Sequence, residues 1–255
     1  MKHKSTVILF ALVTLILLSV AATGLADEPE LVEVEGGEAE VTLVEGKAEL
    51  FRKKEALRQT LSEGDLLRHG DCVTTGDRTR IELAMPDGSF LRFDEKTTFE
   101  LISAGYDQEA KQRDIEVRLA LGKTWAKVAE LVGGRGRFQV SAKNAIAGVR
   151  GTTYRMDVNP DSSVVVKVYW GQIHVSPPPK SIKQSARVSK PKKVEGPYPV
   201  EGPHPVTRQE WTYIIRAMHQ IVIRPDGTAL KPFRFDPKVD ADDWVRWNQM
   251  RDRMR

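Results

Sequence analysis

Few side chains in this sequence are spaced for chemistry. His3, His69, His174, His204 and His219 are scattered singly. No His-Glu-x-x-His run or Cys/His cluster accompanies them, so neither a catalytic nor a structural zinc site is indicated. Gly133-Gly134-Arg135-Gly136 has the glycine density of a phosphate loop. It lacks the Lys-Ser/Thr ending, and no convincing βαβ unit surrounds it, so it reads as a flexible loop. No Gly-x-Ser-x-Gly elbow is present and no Cys–His pair offers a nucleophile. Asp94 and Glu95 are adjacent and so point in different directions, whereas two-carboxylate glycoside chemistry needs groups held at a set separation across a cleft. No catalytic, cofactor-binding or metal site is therefore expected. What remains is Arg150 in "NAIAGVRGTTYRMDV", residues 144–158, bracketed by Gly148-Val149 and Gly151-Thr152.

The elements that must position such a residue are strands. Ile81, Leu83 and Met85 alternate with polar neighbours, as do Ile115, Val117, Leu119 and Leu121, and Val164, Val166, Val168 and Trp170. Period-two alternation is the pattern of a strand with one buried face. His174, between Ile173 and Val175, faces away from such a row. Gly64-Asp65, Gly70-Asp71 and Gly76-Asp77 recur every six residues, and Asp87-Gly88 splits "RIELAMPDGSFLRF" as a hairpin turn would. Only "TWAKVAELV", 124–132, reads equally as helix or as strand then turn. The pattern predicts a mainly β protein, either solenoid-like or built from two antiparallel sheets, with a small C-terminal helical unit.

The chain divides by composition. Lys2 and Lys4 precede an apolar run from Val7 to Ala22, and small residues end at Ala26. This reads as a signal peptide over 1–26. The alternative is an uncleaved anchor, for which the run is short of the roughly 20 residues a spanning helix needs. Residues 27–40 form an acidic arm, 41–176 the β domain, 177–205 a Pro/Lys-rich linker and 206–255 a C-terminal unit. Residues 27–176 hold 21 Lys+Arg and 26 Asp+Glu, a net of −5, while 177–208 hold 7 and 2, a net of +5. The basic excess therefore sits in a linker poor in aromatics, and no nucleic-acid surface is expected. Cys72 is the single cysteine, so no intrachain disulfide is possible; it reads as a small core residue. In the C-terminal unit, Thr207 and Glu210 form a capping box, and Trp211, Ile214, Ile215 and Met218 fall on one helical face. Asp240 is placed to cap a last helix carrying Trp244 and Trp247. Trp211, Trp244 and Trp247 are candidate interface residues, since tryptophan anchors both cores and interfaces.

The order of segments carries a resemblance. "GDCVTTG" is followed by "DGSFLRF", then "VRLALGKTW", then "AIAGVRGTTY", then "GQIHV". This ordered set, over roughly residues 41–176, resembles the FecR domain family. The resemblance implies an all-β, solenoid-like or two-sheet module outside the cytoplasm. In that setting Gly148, Arg150, Gly151 and Thr152 are a structural signature: the glycines permit a bend or close backbone approach, and Arg150 satisfies carbonyls at strand ends. Signalling members of the family resemble anti-sigma regulators with a cytoplasmic region before a membrane span. Only six residues precede the apolar run here, so the expectation is an exported FecR-domain protein of a Gram-negative-type envelope. It would be periplasmic or secreted, with no stable membrane span after signal cleavage, and would bind an envelope protein or polysaccharide without catalysis. A carbohydrate- or peptidoglycan-binding module and a polysaccharide-acting β-solenoid enzyme are the alternatives.

Overall fold

The structure, a computed structural model, describes residues 37–53, 55–179 and 211–254. The proposed signal peptide, residues 27–36 of the acidic arm, the linker from 180 onward and the Thr207–Glu210 capping box lie outside the described residues.

Two sheets face each other across one apolar interior, and the chain passes between them repeatedly. The first sheet contains β1 (Ala39–Glu45), β4 (Leu66–Leu67), β6 (Arg80–Ala84), β7 (Phe90–Phe93), β12 (Thr153–Val158), β13 (Val164–Trp170), β16 (His219–Ile223) and β17 (Phe233–Arg234). The second contains β2 (Ala48–Arg52), β3 (Leu57–Thr60), β5 (Asp71–Thr75), β8 (Thr98–Asp107), β10 (Arg135–Ser141), β11 (Ile146–Val149), β14 (Gln172–Ser176) and β15 (Tyr213–Arg216). The long strand β9 (Gln112–Lys127) belongs to both. Its first half pairs with β8, and its second half pairs with β7 and β12. The lateral order is therefore β4-β1-β6-β7-β9-β12-β13-β16-β17 in the first sheet and β3-β2-β5-β8-β9-β10-β11-β14-β15 in the second. All these pairs are antiparallel except β9–β10, where the loop after Lys127 returns the chain to the start of β9. The sheets are open, not closed into a barrel, and the two-sheet reading of the sequence describes the architecture.

Strand β9 changes sheets at Gly122, which has φ +96°. A Cβ there would lie 2.3 Å from Thr97 Oγ1, so the corner needs glycine on both steric and conformational grounds. The alternating rows behave as expected on either side of it. Ile81, Leu83, Val117, Leu119, Val164, Val166 and Val168 are fully buried between the sheets, and His174 is exposed. Phe93 of the first sheet stacks on Phe99 of the second, ring centroids 3.7 Å apart. Residues 124–127 continue β9 as strand, which settles the open reading of 124–132 for its first four positions.

Three expectations fail, each for a tertiary reason. Residues 211–218 form no helix: β15 pairs with β14, β16 pairs with β13, and Met218 sits in the intervening turn at φ +61°. Without them β13 and β14 would each leave a row of backbone donors and acceptors unpaired at a sheet edge. The alternation Trp211, Tyr213, Ile215 serves the strand as well as the i, i+3, i+4 pattern would have served a helix. Cys72 is half-buried on the outer side of β5 rather than in the interior, because Val73 takes the inward position; burial still pushes its thiol pKa up. Trp170 leaves the Val164–Val168 row because a bulge between Thr153 and Tyr154 breaks the register, and it is 61% exposed.

The final helix forms, as α1 (Asp243–Met254). Its cap is Asp242, whose Oδ1 accepts from Val245 N at 2.8 Å; Asp240 is engaged elsewhere. Among the described residues no helix is long and apolar enough to cross a membrane.

Candidate functional site

Two clusters of charged side chains are built into this frame. The first gathers the FecR-like motif residues. Asp87, at the tip of the β6–β7 hairpin, accepts from Ser89 N at 3.0 Å, from Ser89 Oγ at 2.9 Å and from Arg113 Nη1 at 2.8 Å. Arg113, near the start of β9, is 4% exposed and also donates to Ala129 O at 3.1 Å and Val149 O at 3.4 Å. Ser89 Oγ in turn accepts from Ala129 N at 3.0 Å. One guanidinium thus ties the Asp-Gly-Ser turn, the loop after β9 and the end of β11. A planar fork with five donors can do this; an ammonium cannot present the same directions.

The expected signature residues surround this knot unequally. Thr152 is buried, and its Oγ1 donates to Gln172 O at 2.8 Å. Gly151 has φ +54°, and a Cβ would meet Glu130 Cβ at 3.0 Å, so the bend reading holds there. It does not hold at Gly148, where the nearest atom to a built Cβ is His174 O at 4.0 Å. Arg150 does satisfy a carbonyl, Leu131 O at 2.8 Å, but its side chain is exposed. The buried carbonyl-satisfying arginine is Arg113, which the sequence reading passed over. Its signal was available: Arg113 is separated by one residue from the inward row that starts at Ile115, and so shares that row's face.

The second cluster lies on the outer face of the first sheet. Register places Glu82, Arg92, Trp125, Arg155, Lys167 and Gln220 in one lateral row across six strands. The segment from Phe235 through α1 covers this row. Arg92 and Glu82 are both fully buried and paired at 2.6 Å. Arg92 Nη1 donates to Asp252 at 2.6 Å and Trp125 Nε1 donates to the same carboxylate at 3.0 Å. Arg251 Nη2 donates to Glu82 at 2.9 Å. Ahead of the helix, Asp240 takes both Lys167 and the Tyr169 hydroxyl, and Asp242 takes Arg155 Nη1 at 3.3 Å. Burial pushes the Glu82 carboxyl up, but hydrogen bonds from Arg251, Arg92 and Thr42 outweigh it and hold the pKa at about 2. Burial and the hydrogen bond to Asp240 both push the Tyr169 hydroxyl well above its ordinary value.

The tryptophans divide between these surroundings. Trp244 is 2% exposed against the first sheet, and Trp247 stacks on it with centroids 5.5 Å apart. Arg80 and Arg251 lie over the Trp247 ring at 5.1 and 5.3 Å, a cation–π arrangement. Trp211 packs on the main core and donates to Gly227 O at 3.2 Å. All three expected interface tryptophans therefore make contacts within the chain, and the exposed one is Trp170. The row of Glu82 and Arg92 carried no local signal. In "RIELA" and "FLRF" these are the outward residues of alternating strands, the ordinary pattern of a solvated face.

A groove of about 460 Å³ opens beside the start of α1, lined by Arg80, Asp94, Glu95, Lys123, Asp243 and Trp244 among others. Asp94 is bound to Arg80 at 3.4 Å and Lys123 at 3.2 Å, while Glu95 accepts from Arg78 N at 2.7 Å. These carboxylates are spent on cations and backbone instead of facing one another across a cleft. Among the described residues no group of His, Cys, Asp and Glu is arranged to hold a metal ion.

Residues 71–174 match the family model described as FecR protein. No curated protein matches the chain. Two crystal structures of a protein from Parabacteroides distasonis ATCC 8503, described as a candidate anti-sigma factor and solved at 1.65 and 2.50 Å, are similar in part. Each shares 15% identity with a TM-score of 0.44, over 65% of this chain and 60% of its own length. The chain thus spans less than two thirds of those structures. The matched range runs from the start of β5 into β14 and contains Asp87, Arg113 and the Gly148–Thr152 bend. Over residues 71–174 this chain is similar to the FecR family.

Proposed function

We propose that this is a non-catalytic, exported FecR-domain protein of the bacterial envelope that binds or scaffolds another macromolecule. One observation carries the reading. Polar residues of the family motifs are consumed in holding the frame: Asp87 and Ser89 bond each other and Asp87 holds Arg113, which reaches Val149 O, while Thr152 bonds Gln172 O. Motifs spent in this way mark a scaffold, and a scaffold acts through the surface it presents. Cross-linking the mature protein in envelope extracts, followed by mass spectrometry, tests this. A reproducible macromolecular partner is expected; turnover of a polysaccharide by the purified chain would overturn it. Export rests on Lys2, Lys4 and the Val7–Ala22 run. The native protein is expected to begin at Asp27, and an intact Met1 terminus would refute cleavage.

A second reading is favoured by Trp170. It stands 61% exposed beside the Gly171 turn, where an indole face is open to stack on a sugar ring. Quenching of tryptophan fluorescence by soluble peptidoglycan fragments, lost in Trp170→Ala, would select the carbohydrate-binding reading over a protein partner.

A further inference from the structure

We propose that residues 236–254 form a detachable cover over the first sheet, and that the face beneath is where a protein partner docks. The partner segment would be an amphipathic helix entered through an acidic turn, with an aromatic side chain in its first turn and a carboxylate two turns later. This deepens the protein-binding reading above and rests on it.

The covering segment itself shows what the face takes. The face presents Arg80, Arg92, Arg155 and Lys167, and the segment meets them with Asp243, Asp252, Asp242 and Asp240 in that order. Charge complementarity therefore calls for carboxylates, and Trp244 supplies the aromatic anchor. The cover is also separable from the fold. Helix α1 contributes no strand to either ladder, and both sheets are fully paired as far as β17 without it. Its fully buried residues are only Trp244, Val245 and Asn248, so little apolar area holds it. The fit is imperfect as well: Arg92 Nη2 and Trp244 Nε1 are buried in this interface with no hydrogen-bond partner among the described residues. Buried donors left unmatched weaken an interface; Trp244 leaves with the cover, and a competing segment with an acceptor opposite Arg92 Nη2 would bind the same face more tightly than the cover does.

The test uses the full chain and a fluorescent peptide of residues 236–254 as the probe. In the wild type, amides of 243–254 should exchange with solvent at least 100-fold faster than those of β9 and β13. Asp252→Lys, which sets a cation against Arg92, should raise affinity for the added peptide at least tenfold over wild type. Asp242→Ala, which removes the helix cap and the Arg155 contact, should do so to a lesser degree and serves if Asp252→Lys does not fold. Helix exchange as slow as in β9, or no gain in peptide capture by either folded variant, would overturn the cover. Sedimentation showing that the variants dimerise by trading their own C-terminal segments would make a second copy the occupant and overturn the external partner. A partner cross-linked solely to the outer face of the second sheet would overturn this inference while leaving the protein-binding reading intact. Peptide capture without any protein partner in envelope extracts would instead count against that reading.

Discussion

Arg113–Asp87 and Arg92–Glu82 are both buried arginine–carboxylate pairs, at 2.8 and 2.6 Å, yet their surroundings differ in kind. Arg113 is closed in by main-chain oxygens at Ala129 and Val149 and by a hairpin turn, all within the range that matches the FecR model. Arg92 and Glu82 face outward from their sheet and are closed in by Asp252 and Arg251, about 160 residues further along the chain. A buried pair adds little net stability over a well-packed apolar substitute, but removing one partner strands the other. The consequence of stranding depends on whether water can reach the survivor. At Arg113 the ladder itself blocks water, so a broken pair is a defect of the fold. At Arg92 the barrier to water is the helix, so under the proposed detachable cover a broken pair is a defect of docking alone.

The largest expected effect breaks the first pair. Arg113→Ala should cost about 3–5 kcal/mol by leaving Asp87 buried without its cation, read as a fall in the thermal midpoint of the whole protein. Arg113→Lys should recover only part of it. A wild-type midpoint in Arg113→Ala would erase the difference drawn here between the two regions.

Acid sharpens the second pair. The Glu82 pKa is lowered from 4.5 to about 2. A depressed folded value means its contribution is fully present above 4.5 and is lost as pH falls toward 2. A depression of this size corresponds to roughly 3–4 kcal/mol at most. Tryptophan fluorescence from the Trp244–Trp247 pair should therefore change between pH 4.5 and 2, while far-ultraviolet circular dichroism keeps its strand signal. Loss of both signals together would show that cover and sheets unfold as one.

Asp252→Ala should cost about 1–3 kcal/mol, the usual loss for hydrogen bonds to a charged group. The loss should be confined to amide exchange in 243–254. Smaller still is the contrast between two glycines of one bend. Gly151→Ala should destabilise by about 1 kcal/mol, since alanine must adopt a positive φ, whereas Gly148→Ala should lie within about 0.5 kcal/mol of wild type. Arg150→Ala should also stay within about 0.5 kcal/mol, because the side chain is exposed and makes one described hydrogen bond. A large loss there would return to Arg150 the scaffold role that the structure places on Arg113.

A mainly β chain was legible in the sequence, while the choice between a solenoid-like and a two-sheet form was left to the tertiary structure. Alternation in 81–85, 115–119 and 164–168 marks which side of each strand meets the interior, and the Asp87-Gly88 turn marks a hairpin, because both signals are local. The bend at Gly151 was legible for the same reason, through its own backbone requirement. The long-range partners were not legible. Residues 211–218 carry a pattern compatible with helix or strand, and only the open edges of β13 and β14 decided for strand, since unpaired backbone groups there would cost more than a local helix returns. Glu82 and Arg92 read as solvent-facing in their own strands. Their burial was decided only in the tertiary structure, by a helix whose closeness to them in space has no trace in the spacing of either segment.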